Sequence, residues 1–187
     1  MRIYPILVPD FLTNAYIVSD SQHNAVIIDP GKAAPGIISL VEANKLRLKR
    51  VLLTSSAPEH SKGVGTLAKI YSFELCSFAQ GLRDGDAISC GELSFKVLHL
   101  AGHRLDVLAY YLNDTVLFSG DSLLAGTLAS TESYMQRALL IKTVKEKLLP
   151  LPDDVFIYPG RGPLSSIALE KMYNKDLLET EASFPDT

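Results

Sequence analysis

Apolar residues along the chain switch between two periods, and the switches outline a fold. Residues 2–8 (RIYPILV), 14–19 (NAYIVS) and 24–29 (NAVIID) are short apolar runs parted by turn residues, which predicts three strands of an antiparallel meander. Asp29-Pro30-Gly31 stops the sheet, and Ile37, Ile38, Leu40 and Val41 then recur at helical spacing within 35–44. Residues 50–53 return as a buried strand. Val64, Leu67, Ala68 and Tyr71 fall on one face of a helix expected over 61–72.

Strand character resumes at 74–78, 87–89 and 93–98. Residues 107–112 and 115–119 are joined only by Asn113-Asp114, which suits a tight hairpin. An amphipathic helix over 133–148, a strand at 155–158, a turn at 159–163 and a helix running through Met172 follow. This order predicts one domain over 1–178, an α/β sandwich of two mixed sheets packed face to face with helices outside, in four layers, αββα. The acidic tail, 179–187, is expected to fray.

Composition narrows the partners. The chain has 187 residues, enough for one substantial core, and 47% of them are hydrophobic with no run long enough to span a bilayer. Pro5, Pro9 and Asp10 interrupt the first apolar segment before it could act as a signal core, so no membrane role is expected and the cytoplasm is the expected address. The net charge is −3, with the eighteen Lys and Arg scattered along the sequence, which argues against nucleic acid as a partner. Cys76 and Cys90 match neither a redox pair nor a zinc spacing and read as buried free thiols.

Candidate chemistry lies in four polar loops at strand ends: 54–60 (TSSAPEH), 102–103 (GH), 120–121 (GD) and 159–163 (PGRGP). Together with Asn14 to Val18, Val26 to Gly31 and Leu82-Arg83-Asp84-Gly85-Asp86, they form an ordered set that resembles the metallo-β-lactamase superfamily, in its glyoxalase II-like hydrolase branch. There the loops read T-H-x-H-x-D-H, P-G-H-T, F-S-G-D and P-G-H-G-P. The resemblance implies the same four-layer fold. It also implies that Ser55, Ala57, Glu59, His60, His103, Asp121 and Arg161 stand where the family holds two metal ions. Glyoxalase II enzymes carry a further helical C-terminal domain for glutathione, so the length of this chain argues against a glutathione thioester.

Three of the seven positions have lost a ligand. Ala57 has no donor, the Ser55 hydroxyl is a poor replacement for imidazole, and the Arg161 guanidinium keeps its charge and offers no lone pair. Glu59 carries its carboxylate one methylene further than aspartate. The expectation is therefore a metal-free pocket for a small molecule or protein partner, with no cofactor and with Arg161 paired to Asp121 or Glu59 in the metal's place. One alternative is a hydrolase of thioesters, lactones or phosphoesters with a single zinc on Glu59, His60, His103 and Asp121. Another is an anion site centred on Arg161, helped by Arg104 or Lys62. Taken without these partners, His60 reads as a cap on a helix's first turn. A serine triad of Ser55 with His60 or His103 and Asp121 lacks the expected strand-to-helix elbow. His23 and His99 lie off these loops and receive no role.

Overall fold

A computed structural model describes residues 1–32 and 35–178; the expected tail, 179–187, lies outside the described residues. The first sheet contains β1 (Arg2–Val8), β2 (Thr13–Ser19), β3 (Asn24–Ile28), β4 (Arg47–Leu52) and β5 (Glu74–Cys76), in that spatial order. Its first three strands form the meander, and β3, β4 and β5 run parallel. The second sheet is assembled from β6 (Ala87–Cys90), β7 (Leu93–His99), β8 (Leu108–Leu112), β9 (Val116–Gly120), β12 (Phe156–Pro159) and β13 (Ser165–Ser166). Its order is β13-β12-β9-β8-β7-β6, with only β12 and β9 parallel. Both sheets are mixed, and a small hairpin of β10 (Leu123–Leu124) and β11 (Thr127–Leu128) stands beside them.

Strand alternation explains the layers. In β2, Tyr16 and Val18 face the second sheet, while Ala15 and Ile17 face the outer helix layer. Leu108, Tyr110 and Leu112 of β8 meet Tyr16 and Val18 in the core between the sheets, and Ala109 and Tyr111 turn the other way. Helix α1 (Pro35–Ala43) covers the first sheet with Ile37 and Val41. The second sheet is covered by α4 (Tyr134–Lys147), α5 (Ile167–Tyr173) and α6 (Lys175–Leu178), through Leu140, Val144, Ile167 and Leu177. Three apolar cores thus separate four layers, as expected. Burying each such side chain contributes roughly 1.5–3 kcal/mol before conformational entropy is counted. Both cysteines are buried free thiols.

Several elements differ from the sequence expectation. The helix over 61–72 is replaced by two single turns, α2 (Pro58–Ser61) and α3 (Val64–Leu67). The Gly63 amide turns aside to donate to the Gly31 carbonyl, so the ladder breaks between them. Strand β4 begins three residues before the expected 50. The 133–148 helix is bounded as expected, because the Ser133 hydroxyl accepts from the Gln136 amide and caps it. Asn113 and Asp114 both have positive φ, the signature of a type I′ turn. Among the described residues, no helix is long and apolar enough to cross a membrane.

Candidate functional site

Parallel strands deliver their C-terminal ends to one side, and the polar loops gather there. Asp29 follows β3, residues 53–60 follow β4, residues 100–107 follow β7, Asp121 follows β9 and the 160–163 turn follows β12. Two seams hold the loops in place. The Asp29 carboxylate accepts from the Thr54 amide at 2.7 Å and from its hydroxyl at 2.5 Å, fixing the start of the 54–60 loop. On the other sheet, the Gly160 amide donates to the Gly120 carbonyl at 2.7 Å, and a Cβ on Gly160 would lie 2.5 Å from Asp121 Oδ1. Glycine is required at 160 by close approach.

The 159–163 turn is also tied to the first sheet. Asn14 donates its amide to the Gly160 carbonyl and its side-chain NH2 to the carbonyls of Pro159 and Gly162. The Tyr16 hydroxyl donates to Pro159 at 2.6 Å, from a cluster in which the Tyr16, Phe118 and Tyr158 rings lie 5.3–5.4 Å apart. Arg161 is thereby carried over Asp121.

Ser55, Ala57, Glu59, His60, His103 and Asp121 line one cavity with Thr54, Arg104 and Val107. It measures about 10 Å³ to the centre of a water-sized sphere, room for about one water molecule. At its floor His60 is 2% exposed, with Nδ1 3.0 Å from Asp29 Oδ2 and Nε2 3.4 Å from Asp121 Oδ2. The first contact is a charge contact outside hydrogen-bond geometry. Burial by itself would lower the His60 pKa, but the Asp29 carboxylate and Asp121 together push it up to about 10. His60 is therefore an imidazolium at neutral pH, clamped between carboxylates, and not a helix cap.

Arg161 closes the cluster. Its Nε lies 3.0 Å from Asp121 Oδ2, its Nη2 3.6 Å from Glu59 Oε1, and its Nη1 donates to the Phe11 carbonyl at 2.9 Å. Burial raises the Asp121 pKa, but the hydrogen bond and charge of His60, then those of Arg161, hold it below the usual carboxylate value. The guanidinium is thus directed onto groups of the chain itself. Arg104 pairs with Asp106 at 3.2 Å, and Lys62 lies 6.0 Å from the Phe11 ring centroid.

Ligand-type atoms of Glu59, His60 and Asp121 lie within 4.8 Å of one another, and His103 is outside that group. His103 Nδ1 lies 2.6 Å from the Ser130 carbonyl, which only accepts, so Nδ1 carries the proton. The Ser55 hydroxyl accepts from the Ala57 amide and lies 3.5 Å from Asp106 Oδ2; among the described residues, no hydrogen bond joins it to either site histidine. Two carboxylates have roles the sequence reading did not assign. Asp29 is the partner of His60, and Asp106 receives the Ser56 amide at 2.7 Å and its hydroxyl, tying the 54–60 loop to the loop after β7.

The chain is 28% identical to the hydroxyacylglutathione hydrolase GloC of Haemophilus influenzae, over 93% of this chain and 97% of that one. Its structure superposes on ETHE1 from Myxococcus xanthus with a TM-score of 0.86 at 28% identity, covering 94% of this chain and 84% of that one. A di-iron-bound form of TTHA1623 superposes with a TM-score of 0.79 at 25% identity, covering 92% and 98%. The chain belongs to the metallo-β-lactamase superfamily, in its glyoxalase II-like branch. No family model matches it. Other hydroxyacylglutathione hydrolases, 30–37% identical, are spanned over only 47–66% of their length. The Haemophilus relative is matched almost end to end.

Proposed function

We propose that this glyoxalase II-like chain does not use the dinuclear metal chemistry of its superfamily, and that its loop cluster is a metal-free pocket clasped by Arg161. The observation that carries this reading is the guanidinium lying between Asp121 and Glu59, with its third nitrogen on the Phe11 carbonyl. The residues present fit two metal ions poorly. For one ion, Ser55 and Ala57 leave only His103 and Asp121, fewer than the three protein ligands a catalytic zinc normally takes. For the other, Arg161 stands on Asp121 and Glu59 and supplies positive charge where a ligand would be needed. The cavity is also too small to admit a thioester without movement of its loops. The pocket then serves to bind a small molecule or a protein partner after such movement.

A second reading rests on one observation. Glu59, His60 and Asp121 do converge, and Asp121 Oδ1 is buried with no hydrogen-bond partner among the described residues. A single metal there would require His60 to lose its proton and Arg161 to swing out. Elemental analysis of protein purified with and without added zinc, beside assays on hydroxyacylglutathione and other thioesters, separates the two. The metal-free reading expects well under one metal per chain and no hydrolysis that a chelator abolishes. Stoichiometric metal with chelator-sensitive turnover would establish the second reading and overturn the first.

A further inference from the structure

The loops around the site are held unequally. The 53–60 loop is bonded to Asp29, to Asp106 and to the Leu108 amide, and the 159–163 turn to Asn14, Tyr16 and Gly120. The 100–107 loop is held by His99 Nε2, 2.8 Å from the Leu105 carbonyl, by His103 on Ser130 and by Gly102 packed on Leu140. Residues 9–12, which join β1 to β2, have weaker internal bonds. Val8 and Thr13, the last pair of the β1–β2 register, are each 1% exposed and anchor the turn. Within it, the Phe11 and Leu12 amides lie 3.3 and 3.4 Å from the Val8 and Pro9 carbonyls, beyond the usual N–H···O range. Leu12 has φ +51° and is 69% exposed.

The outward ties of this turn differ in strength. Asp10 pairs with Lys32 at 2.5 Å, but the two side chains are 49% and 60% exposed, and the Phe11 ring, at the edge of the first sheet's outer core, has Lys62 6.0 Å from its centroid. An exposed ion pair and a cation–π contact at its distance limit contribute little. Arg161 Nη1, by contrast, donates to the Phe11 carbonyl at 2.9 Å from a part-buried position, and charge-assisted bonds are the stronger kind. That bond backs the cavity wall. Glu59 and Asp121 form part of the wall, Arg161 lies across both, and the Phe11 carbonyl lies on Arg161. Arg161 swings clear of the two carboxylates only by giving up Phe11, and the turn then loses its strongest tie.

We propose that residues 9–12 are the moving lid of the site and that Arg161 is the strap that holds it shut, so that opening of the turn and release of Glu59 and Asp121 are one event. Opening motions are drawn from the least-tied segments, and this one supplies the loop movement that a cavity of one water's size requires. The strap rests on the metal-free reading, because a metal ion between Glu59 and Asp121 would already have displaced Arg161.

The test uses the full chain in the presence of a chelator. It is compared with Arg161→Lys, which keeps a cation beside Asp121 but has no fork to hold Phe11 as well, and with Lys32→Met, which removes the exposed pair instead. Two quantities are read: backbone heteronuclear NOEs of Asp10 to Leu12, and the rate at which Ser55→Cys, introduced into each background, is labelled by methyl methanethiosulfonate. Ser55 is 6% exposed on the cavity wall, and peptide mass mapping separates it from the buried Cys76 and Cys90, so labelling reports entry to the cavity. Arg161→Lys should lower the NOEs of the turn and speed labelling by roughly tenfold or more, while Lys32→Met should change the rate by less than about twofold. Unchanged NOEs or unchanged labelling in Arg161→Lys would overturn the proposal. So would equal acceleration by Lys32→Met, which assigns the hold to the exposed pair, or loosening of β8 and β9 together with the turn, which makes Arg161 a general support of the fold. Stoichiometric zinc in the untreated protein would overturn the metal-free reading, whereas the lid fails on these NOEs and rates.

Discussion

Arg161 Nε lies 3.0 Å from the same Asp121 oxygen that faces His60 Nε2 at 3.4 Å, so one carboxylate oxygen serves two cations. Removing either cation leaves a largely buried charge undercompensated. Arg161→Met should destabilise the protein by about 1–2 kcal/mol, a figure reduced because the Arg161 side chain is 37% exposed. Arg161→Lys should cost less in charge but lose the fork that reaches Glu59 and Phe11 together. Urea unfolding of the two variants against the parent measures both effects.

The raised pKa of His60 gives stability a defined pH dependence. In the unfolded chain His60 titrates near its ordinary value of 6.5, and in the folded protein near 10. Its contribution is therefore complete below about pH 6.5 and fades as pH rises toward 10. His60→Gln, which cannot titrate, should be less stable than the parent at pH 6.5, and the gap should close as the pH approaches 10. A gap that stays constant over this range would show that His60 is not held as an imidazolium.

The position-by-position account of the lost metal site can be reversed. Ser55→His, Ala57→His, Glu59→Asp and Arg161→His combined should give stoichiometric zinc binding, seen by elemental analysis and by a rise in melting temperature with zinc. Failure of a folded quadruple variant to bind zinc would mean that these positions do not converge as described.

His103 depends on the packing of its loop against α4. A Cβ on Gly102, where φ is +137°, would lie 2.5 Å from the Cα of Leu140 in the middle of that helix. Gly102→Ala should destabilise the protein by about 2–3 kcal/mol through overpacking and backbone strain. It should also break the His103 contact with the Ser130 carbonyl, which the His103 imidazole resonances would report.

The fold was legible because the central strands β2, β3, β8 and β9 are short runs buried on both faces and parted by turn residues. The 61–72 helix was misread since an apolar period says nothing of the Gly63 amide leaving for Gly31. The two-residue strands β10, β11 and β13 are too short to show a period. The pairing of Arg161 with Asp121 and Glu59 agrees with the charge argument made from the motif. The roles of Asp29 and Asp106 were not legible, because their partners lie 25 and 50 residues away in sequence.

The bonds from Asn14 to the 159–163 turn connect residues 145 positions apart. Closing a loop of that length costs roughly 4 kcal/mol of chain entropy by the logarithmic closure law. Such long-range contacts are the ones that slow folding, and nothing local near Arg161 replaces them. A nascent chain that has not yet delivered the 156–166 segment holds Asp121 and His60 without their guanidinium. The charge cluster is then a late lock on the fold: its carboxylates become fully paired only after both ends of the chain have met.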